Sequence, residues 1–471
     1  MANAEHVRLL LTDSWNGWRK SNPSATPDFV GAELDGADLT GRDLRGAHLS
    51  NAGLVGANFA SCELTGAIFT GAKLATARFH RATMENIHLD YAELSAIDFT
   101  GANLKGALLR YANLKDSNFS ASNMSGANAD GANLEGANLS VANLEGASLR
   151  GANLQLTNFF DARIRKASLE NAHGEGANFM KADLTGAVLN QTKLHKSRFD
   201  GAQLSQTSAK SADLTDSVFT QTKLYDCIFD NALILRADFS KATLQKCLFR
   251  GAQLPRIRLQ NAEIEDCDFS EAFLEETDFR FATLSKCRFT RSVLRACQFY
   301  KKNLSEMMFD GANLSEADFR ETTLARCNLR GAKCSGTQFR KAQCKECDFS
   351  GARLDRADFG GSQLSLCDFS KADLTLADLR FAVMIGANLK GANLKHADMT
   401  CADLREAQLV SANFWGTTLK KAKMGGNKIS ILPFIILGRV FFPVEKMLAK
   451  RKKRQQDRRQ KRVKDLLDTK K

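Results

Sequence analysis

Proline, tryptophan and tyrosine are nearly missing from this 471-residue chain, with five, three and four copies. Ala, Leu, Asn, Asp, Gly and Phe fill the sequence between Phe29 and Met424 instead, in a recurring order. Other absences exclude chemistry. No glycine-rich phosphate loop or hydrolase elbow interrupts the pattern, so nothing points to nucleotide or acyl-transfer catalysis. The histidines (His6, His48, His80, His88, His173, His195 and His396) are scattered along the chain, and no metal centre is expected from them. Near the N-terminus the only apolar run, Leu9 to Leu11, is too short for a signal-peptide core. The twelve cysteines therefore belong most simply to a reducing compartment, and a cytoplasmic protein is expected.

An even excess of positive charge is also missing. The formal net charge of +13 lies almost wholly at the end: from Lys420 to Lys471 there are 18 Lys or Arg against 4 Asp or Glu, leaving 48 against 49 in the preceding 419 residues. The body is near neutral and the tail is strongly basic.

What is present is a repeat. From Phe29 a large residue occupies every fifth position, through Leu34, Leu39, Leu44, Leu49, Leu54 and Phe59, and the phase holds to Met424 over 80 positions. Two residues before each large one lies a small one, usually Ala, as in Ala132-Asn133-Leu134. Neither a helix of period 3.6 nor a strand of period 2 keeps a five-residue repeat on one face for so long. The chain must turn a corner every five residues.

A second period counts the corners. Phe gathers in columns such as 59, 79, 99, 119 and 229, 249, 269, 289, 309, whereas the sides between carry Leu. Cys227, Cys247, Cys267 and Cys287, and again Cys327, Cys347 and Cys367, recur at steps of twenty. Four five-residue sides thus make one turn, and 80 units make twenty coils. At the strand spacing of about 4.8 Å they stack into a square rod about 95 Å long. Such an array escapes the size limit of a single core because each unit packs only on its neighbours.

These units resemble the pentapeptide-repeat proteins, whose consensus is Ala-(Asp/Asn)-Leu-X-X, over about 85% of the chain. The resemblance implies an all-β solenoid, a right-handed quadrilateral β-helix with the central residue and the small residue two before it pointing inward. Trp15-Asn16-Gly17-Trp18-Arg19, with Asn22-Pro23 and Pro27-Asp28, also looks like a leader found ahead of the repeats in bacterial members. The expected organisation is an N-terminal helical cap (1–28), the β-helix (29–426), an apolar capping or membrane-interfacial segment (427–444) and a basic helical or disordered tail (445–471). In the cap, Val7, Leu10, Leu11, Trp15 and Trp18 are expected on one helical face covering the open first coil.

Within the rod, nine cysteines (62, 227, 247, 267, 287, 297, 327, 347 and 367) hold the small inward position, where a thiol serves as a small buried hydrophobe. Gly174, Ala129 and Ala209 leave central positions underfilled, and Arg42 and Lys302 put charge where Ala is expected. A buried unpaired ammonium is costly, so at Lys302 either the side chain snorkels outward or the coil bulges. No catalytic residue, cofactor or metal is expected, since a square rod offers no concavity in which reacting groups converge.

The last fifty residues carry the remaining signals. Ile429 to Val444 is apolar apart from Ser430, Pro433, Gly438, Arg439 and Pro443, and a polybasic run follows from Lys446 to Lys464. The segment is too short and too broken for a transmembrane helix. It suits a cap or homodimer contact at the end of the rod, or an interfacial anchor on anionic lipid, where Phe434, Phe441 and Phe442 would enter the surface. Lys450, Arg451, Lys452, Lys453, Arg454, Arg458 and Arg459 would then meet the lipid charge. The expected function is a non-enzymatic scaffold whose sides bind a protein partner, with the tail on a membrane surface or a partner. The alternative, a rod that mimics nucleic acid as in the gyrase-binding quinolone-resistance members of the family, requires an acidic body and is disfavoured here. A nucleic-acid partner for the tail is disfavoured too, because the basic run lacks interleaved aromatics.

Overall fold

The structure is a computed structural model and describes residues 2–426. From Asp28 to Lys423 the backbone pairs in parallel with itself at steps of twenty residues, beginning with Asp28 to His48 and ending with Asp403 to Lys423. Four sides per coil follow directly, and the protein is a parallel β-solenoid. One short stretch per side is extended. Five of these lengthen into strands, β1 (Gln203–Ser205), β2 (Lys223–Tyr225), β3 (Thr243–Gln245), β4 (Glu263–Glu265) and β5 (Thr283–Ser285), stacked in chain order with Leu204 on Leu224 on Leu244.

Each repeat uses its backbone groups twice. The Leu39 amide donates to the Asn58 carbonyl in the next coil at 2.9 Å, and the Asn58 amide returns to the Ala37 carbonyl at 2.9 Å. At the corner the Ala37 amide donates to the Leu34 carbonyl at 3.1 Å, closing a turn whose third residue, Gly36, has φ +67°. That left-handed conformation suits glycine, yet Val141 (φ +61°) and Leu156 (φ +55°) adopt it as well. A β-branched residue is strained there, and the bonds to the coils on either side hold it in place.

Each of the four sides sends one column of large and one column of small side chains into the interior. Phenylalanines on one side stack nearly parallel from coil to coil, as at Phe199 and Phe219 (centroids 4.7 Å, 1°). Those of opposite sides meet edge to face, as at Phe349 and Phe359 (5.8 Å, 89°). Both geometries suit the ring quadrupole. The underfilled centre at Gly174 is not empty: a Cβ there would come within 2.8 Å of a Leu194 methyl and 3.3 Å of the Leu154 Cβ. Neighbouring coils lean in and close the space.

The N-terminal residues form two helices, α1 (Ala4–Leu10), whose N-cap Asn3 accepts from the Glu5 and His6 amides, and α2 (Trp15–Ser21). Leu10 and Trp15 are fully buried, and the Trp15 indole donates to the Asp43 carbonyl at 2.8 Å in the first coil. Leu11 does not join them. It ends α1 and is 55% exposed, because the chain turns through Thr12 before α2 starts and a single helical face is not maintained. Buried Arg19 ties the cap together, donating to the Ala25 and Arg45 carbonyls.

Among the described residues the ladder skips three steps: Lys73 to Glu93, Arg258 to Asp278, and Thr283 to Asn303. Each adjoins a coil in which an oversized residue takes the small inward position. Ile87 and Ile97 face each other across the coil that holds Glu93, Ile257 immediately precedes Arg258, and Lys302 precedes Asn303. The gaps at Asp278 and Asn303 fall beside an overpacked position; that at Glu93 lies between Ile87 and Ile97, whose own carbonyls still accept from the Leu108 and Asn118 amides at 2.9 Å. Two oversized residues leave the ladder intact for visible reasons. Met307 is unbranched, and the Asn328 amide still reaches its carbonyl at 3.1 Å. Arg42 lies in a terminal coil and extends toward the cap, 3.4 Å from Asp13.

At Lys302 the snorkel and the bulge occur together. The ammonium turns back to the Ala282 carbonyl at 2.6 Å, the acceptor that the Asn303 amide would otherwise use. Partial burial pushes its pKa down. Replacing Lys302 by Ala should return that carbonyl to Asn303. The expected result is slower amide exchange at Asn303 and a stability gain of about 1 kcal/mol, of the order of one hydrogen bond. Unchanged exchange at Asn303 in Lys302→Ala, read by hydrogen-exchange mass spectrometry, would show that the side chain does not cause the gap.

Candidate functional site

The thiol column is the densest cluster of reactive side chains, and its geometry explains why cysteine is there. At the small inward position most hydroxyls and thiols donate to the carbonyl of the central residue one coil below, while Thr192, Ser292, Thr322 and Ser362 donate to the central residue three positions back. Cys62 reaches the Leu39 carbonyl at 2.8 Å, Cys297 that of Leu274 at 3.0 Å, and Thr157 that of Leu134 at 2.8 Å. Ser, Thr and Cys thus add to Ala's small volume a bond to a carbonyl that has a lone pair to spare. Cys227, Cys247, Cys267 and Cys287 sit one above another on this pattern and are almost fully buried. Burial pushes Cys62 and Cys287 up to about 12, and the Cys247 sulfur together with burial raises Cys227 and Cys267 further. Cys62, Cys227, Cys267 and Cys287 stay protonated and unreactive. Among the described residues no group of three or more His, Cys, Asp or Glu is placed to hold a metal ion.

Outside, most polar groups satisfy one another. Asparagines form ladders, each amide donating to the carbonyl oxygen of the one a coil below, as Asn138 to Asn118 and Asn158 to Asn138, both at 3.1 Å. Arginines pair with aspartates either a coil away, as Arg110 with Asp90, or two residues back on the same side, as Arg320 with Asp318. Such pairs fix side-chain orientation more than they stabilise the rod.

One corner gathers cations and aromatic rings. Read at twenty-residue steps it carries Arg280-Phe281, Tyr300-Lys301, Arg320-Glu321, Arg340-Lys341, Gly360-Gly361 and Arg380-Phe381. Arg280, Arg320 and Arg380 are held by Asp278, Asp318 and Asp378, and Lys301 lies 3.7 Å from Glu321. Among the described residues, Arg340 and Lys341 have no carboxylate in salt-bridge range. Between Tyr300 and these two cations lies an open depression of about 290 Å³, lined also by Arg320 and Glu321. No element of the sequence analysis singled out this corner, because its residues are twenty apart. The signal was available once the coil length was known.

The C-terminal residues proposed for membrane or anion contact, Phe434, Phe441, Phe442, Lys450, Arg451, Lys452, Lys453, Arg454, Arg458 and Arg459, lie outside the described residues. Among those described, no helix is long and apolar enough to cross a membrane.

A family model for pentapeptide repeats matches overlapping stretches from 32 to 234, then 342–380 and 387–426, and a second, for a pentapeptide repeat region, matches 222–299 and 282–359. The chain is a pentapeptide-repeat protein. Solved structures with the same repeat include HetL of the cyanobacterium Nostoc sp. strain PCC 7120, described as involved in heterocyst differentiation regulation. It is 26% identical, over 54% of this chain and 90% of its own, with a TM-score of 0.22. The plasmid-mediated fluoroquinolone resistance protein QnrB1 is 19% identical, over 42% of this chain and 90% of its own, with a TM-score of 0.24. A pentapeptide repeat protein of the Arabidopsis thaliana thylakoid lumen is 36% identical over 23% of this chain and 71% of its own (TM-score 0.15). Among curated proteins none matches.

The burial pattern of the pentapeptide rod makes a direct prediction. Cys401, at a corner, is the one cysteine of twelve that is not buried. A chromogenic disulfide reagent at pH 8 should label one thiol per native chain and twelve in denaturant. Rapid native labelling of several thiols would contradict the packing role of the column.

Proposed function

We propose that this pentapeptide-repeat protein is a non-enzymatic scaffold that binds a protein partner along the sides of its rod, and that its basic C-terminal tail attaches it to an anionic membrane surface. The observation that supports this most is the way outward side chains satisfy each other in ladders, as in Asn118, Asn138 and Asn158. They build a long, ordered, flat surface, and no acid, base and nucleophile converge on it. Flat ordered surfaces suit extended contact with another protein.

The near-neutral body, with 48 Lys or Arg against 49 Asp or Glu before Lys420, speaks against mimicry of nucleic acid. For attachment, the polybasic run from Lys446 to Lys464 and the apolar run before it fit a two-part anchor. Each cation near an anionic surface contributes on the order of 1 kcal/mol. A peripheral position at the inner face of the membrane follows from the free thiols and this anchor.

Fractionation tests the attachment. The full chain should sediment with membranes and be released by high salt or carbonate, whereas a chain ending at Gly426 should remain in the supernatant. Equal solubility of both forms would remove the membrane from the proposal. Retention of the truncated form on membranes would move the contact to the rod.

A further inference from the structure

The corner between Arg280 and Phe381 differs from the other three in composition and in local order. Its cations are interleaved with Phe281 and Phe381, which are 54% and 63% exposed, and with Tyr300. Tyr300 is framed by charge, with the Lys301 ammonium 5.0 Å and the Arg320 guanidinium 5.6 Å from its ring centroid. Both ends of the depression are shaped by departures from the repeat. On one side the stack is parted at Lys302, just past Tyr300. On the other, Gly360 and Gly361 replace two corner side chains, so that bare backbone follows Arg340 and Lys341. A Cβ at Gly361 would stand 3.9 Å from the Lys341 Cγ.

Two unpaired cations beside an aromatic ring in an open notch call for an anionic ligand with some apolar surface. Arg and Tyr are also the residues that dominate protein interfaces. The fixed charges around the notch narrow the ligand further. Asp278, Asp318, Asp358 and Asp378 line the adjoining side at steps of one or two coils, each bound to its own partner, as in Arg280 to Asp278 and the Gly360 amide to Asp358. A nucleic acid strand, charged at every phosphate, would run past these carboxylates and be repelled. A peptide with one or two carboxylates flanked by apolar residues would not.

We infer that this corner is the docking site of a short acidic segment of a protein partner, its carboxylates on Arg340 and Lys341 and an apolar side chain against Tyr300. The inference rests on the scaffold reading and gives it a place and a partner chemistry. The surrounding paired arginines keep the corner ordered, so the ligand meets a preformed surface.

The probe is a peptide of two glutamates, two leucines and two serines carrying a benzophenone, photo-cross-linked to the full-length protein and mapped by mass spectrometry. Mapping separates the corner from the basic tail. Cross-links are expected within 300–341. In the double variant Arg340→Glu, Lys341→Glu their yield should fall about tenfold or more. The same charge reversal at another corner, Lys371→Glu with Lys390→Glu, should leave the yield unchanged. Cross-links confined to the tail, or an unchanged yield in the first variant, would overturn the inference. So would a benzophenone-labelled single-stranded oligonucleotide that maps to 300–341 with the same dependence on Arg340 and Lys341. Peptide cross-links on other sides of the rod would overturn this site and leave the scaffold reading in place.

Discussion

The volume inside one square coil is the constraint on which the rest of this structure depends. Each side contributes one large and one small inward side chain, and the coils must remain a strand spacing apart for amides and carbonyls to meet. Where the volumes fit, the backbone bonds run unbroken, with Leu39 to Asn58 and Asn58 to Ala37 as one of many such steps. Where they do not, the bonds are lost first. The large central residue cannot shrink without a neighbour leaning in, as Leu194 does over Gly174. The small one grows without a gap in the ladder only where it is unbranched, as at Met307, or lies in a terminal coil, as at Arg42; beside Ile257 and Lys302 the ladder is broken.

The same stacking organises the exterior. A period of twenty residues places like positions directly above one another, so an unbalanced column of charges would repel itself at a spacing of about 4.8 Å. Pairing and amide ladders resolve this along most of the rod. Asp90 to Arg110 and Asn118 to Asn138 are two solutions to one problem. The corner around Tyr300 sets cations without a salt bridge beside an aromatic ring, and it coincides with a gap in the ladder and a pair of glycines. Departures from a repeat's own rule are where binding sites are to be sought.

Much of this could be read from the residues alone. The five-residue phase fixed the corners, and the twenty-residue recurrence of Cys227, Cys247 and Cys267 fixed the number of sides, which the pairing of Leu204 with Leu224 bears out. The inward place of cysteine was legible too, since Ala, Ser and Thr share its position. The helical cap was only partly legible. Leu11 fits the apolar pattern of one helix, but the turn at Thr12 divides that helix and leaves Leu11 outside.

The sequence by itself determined the architecture, because a repeat without insertions admits one phase and every unit reports the same inward and outward assignment. It also located the excess positive charge in the tail. Only the tertiary structure decided what happens between coils: that Lys302 takes the carbonyl meant for Asn303, that opposite phenylalanines meet edge to face, and that Arg340 and Lys341 share an open depression with Tyr300. The physical reason is separation along the chain. Each of these contacts joins residues about ten to forty apart, and whether they meet well is settled by side-chain volume and direction within the stack, which no five-residue pattern records.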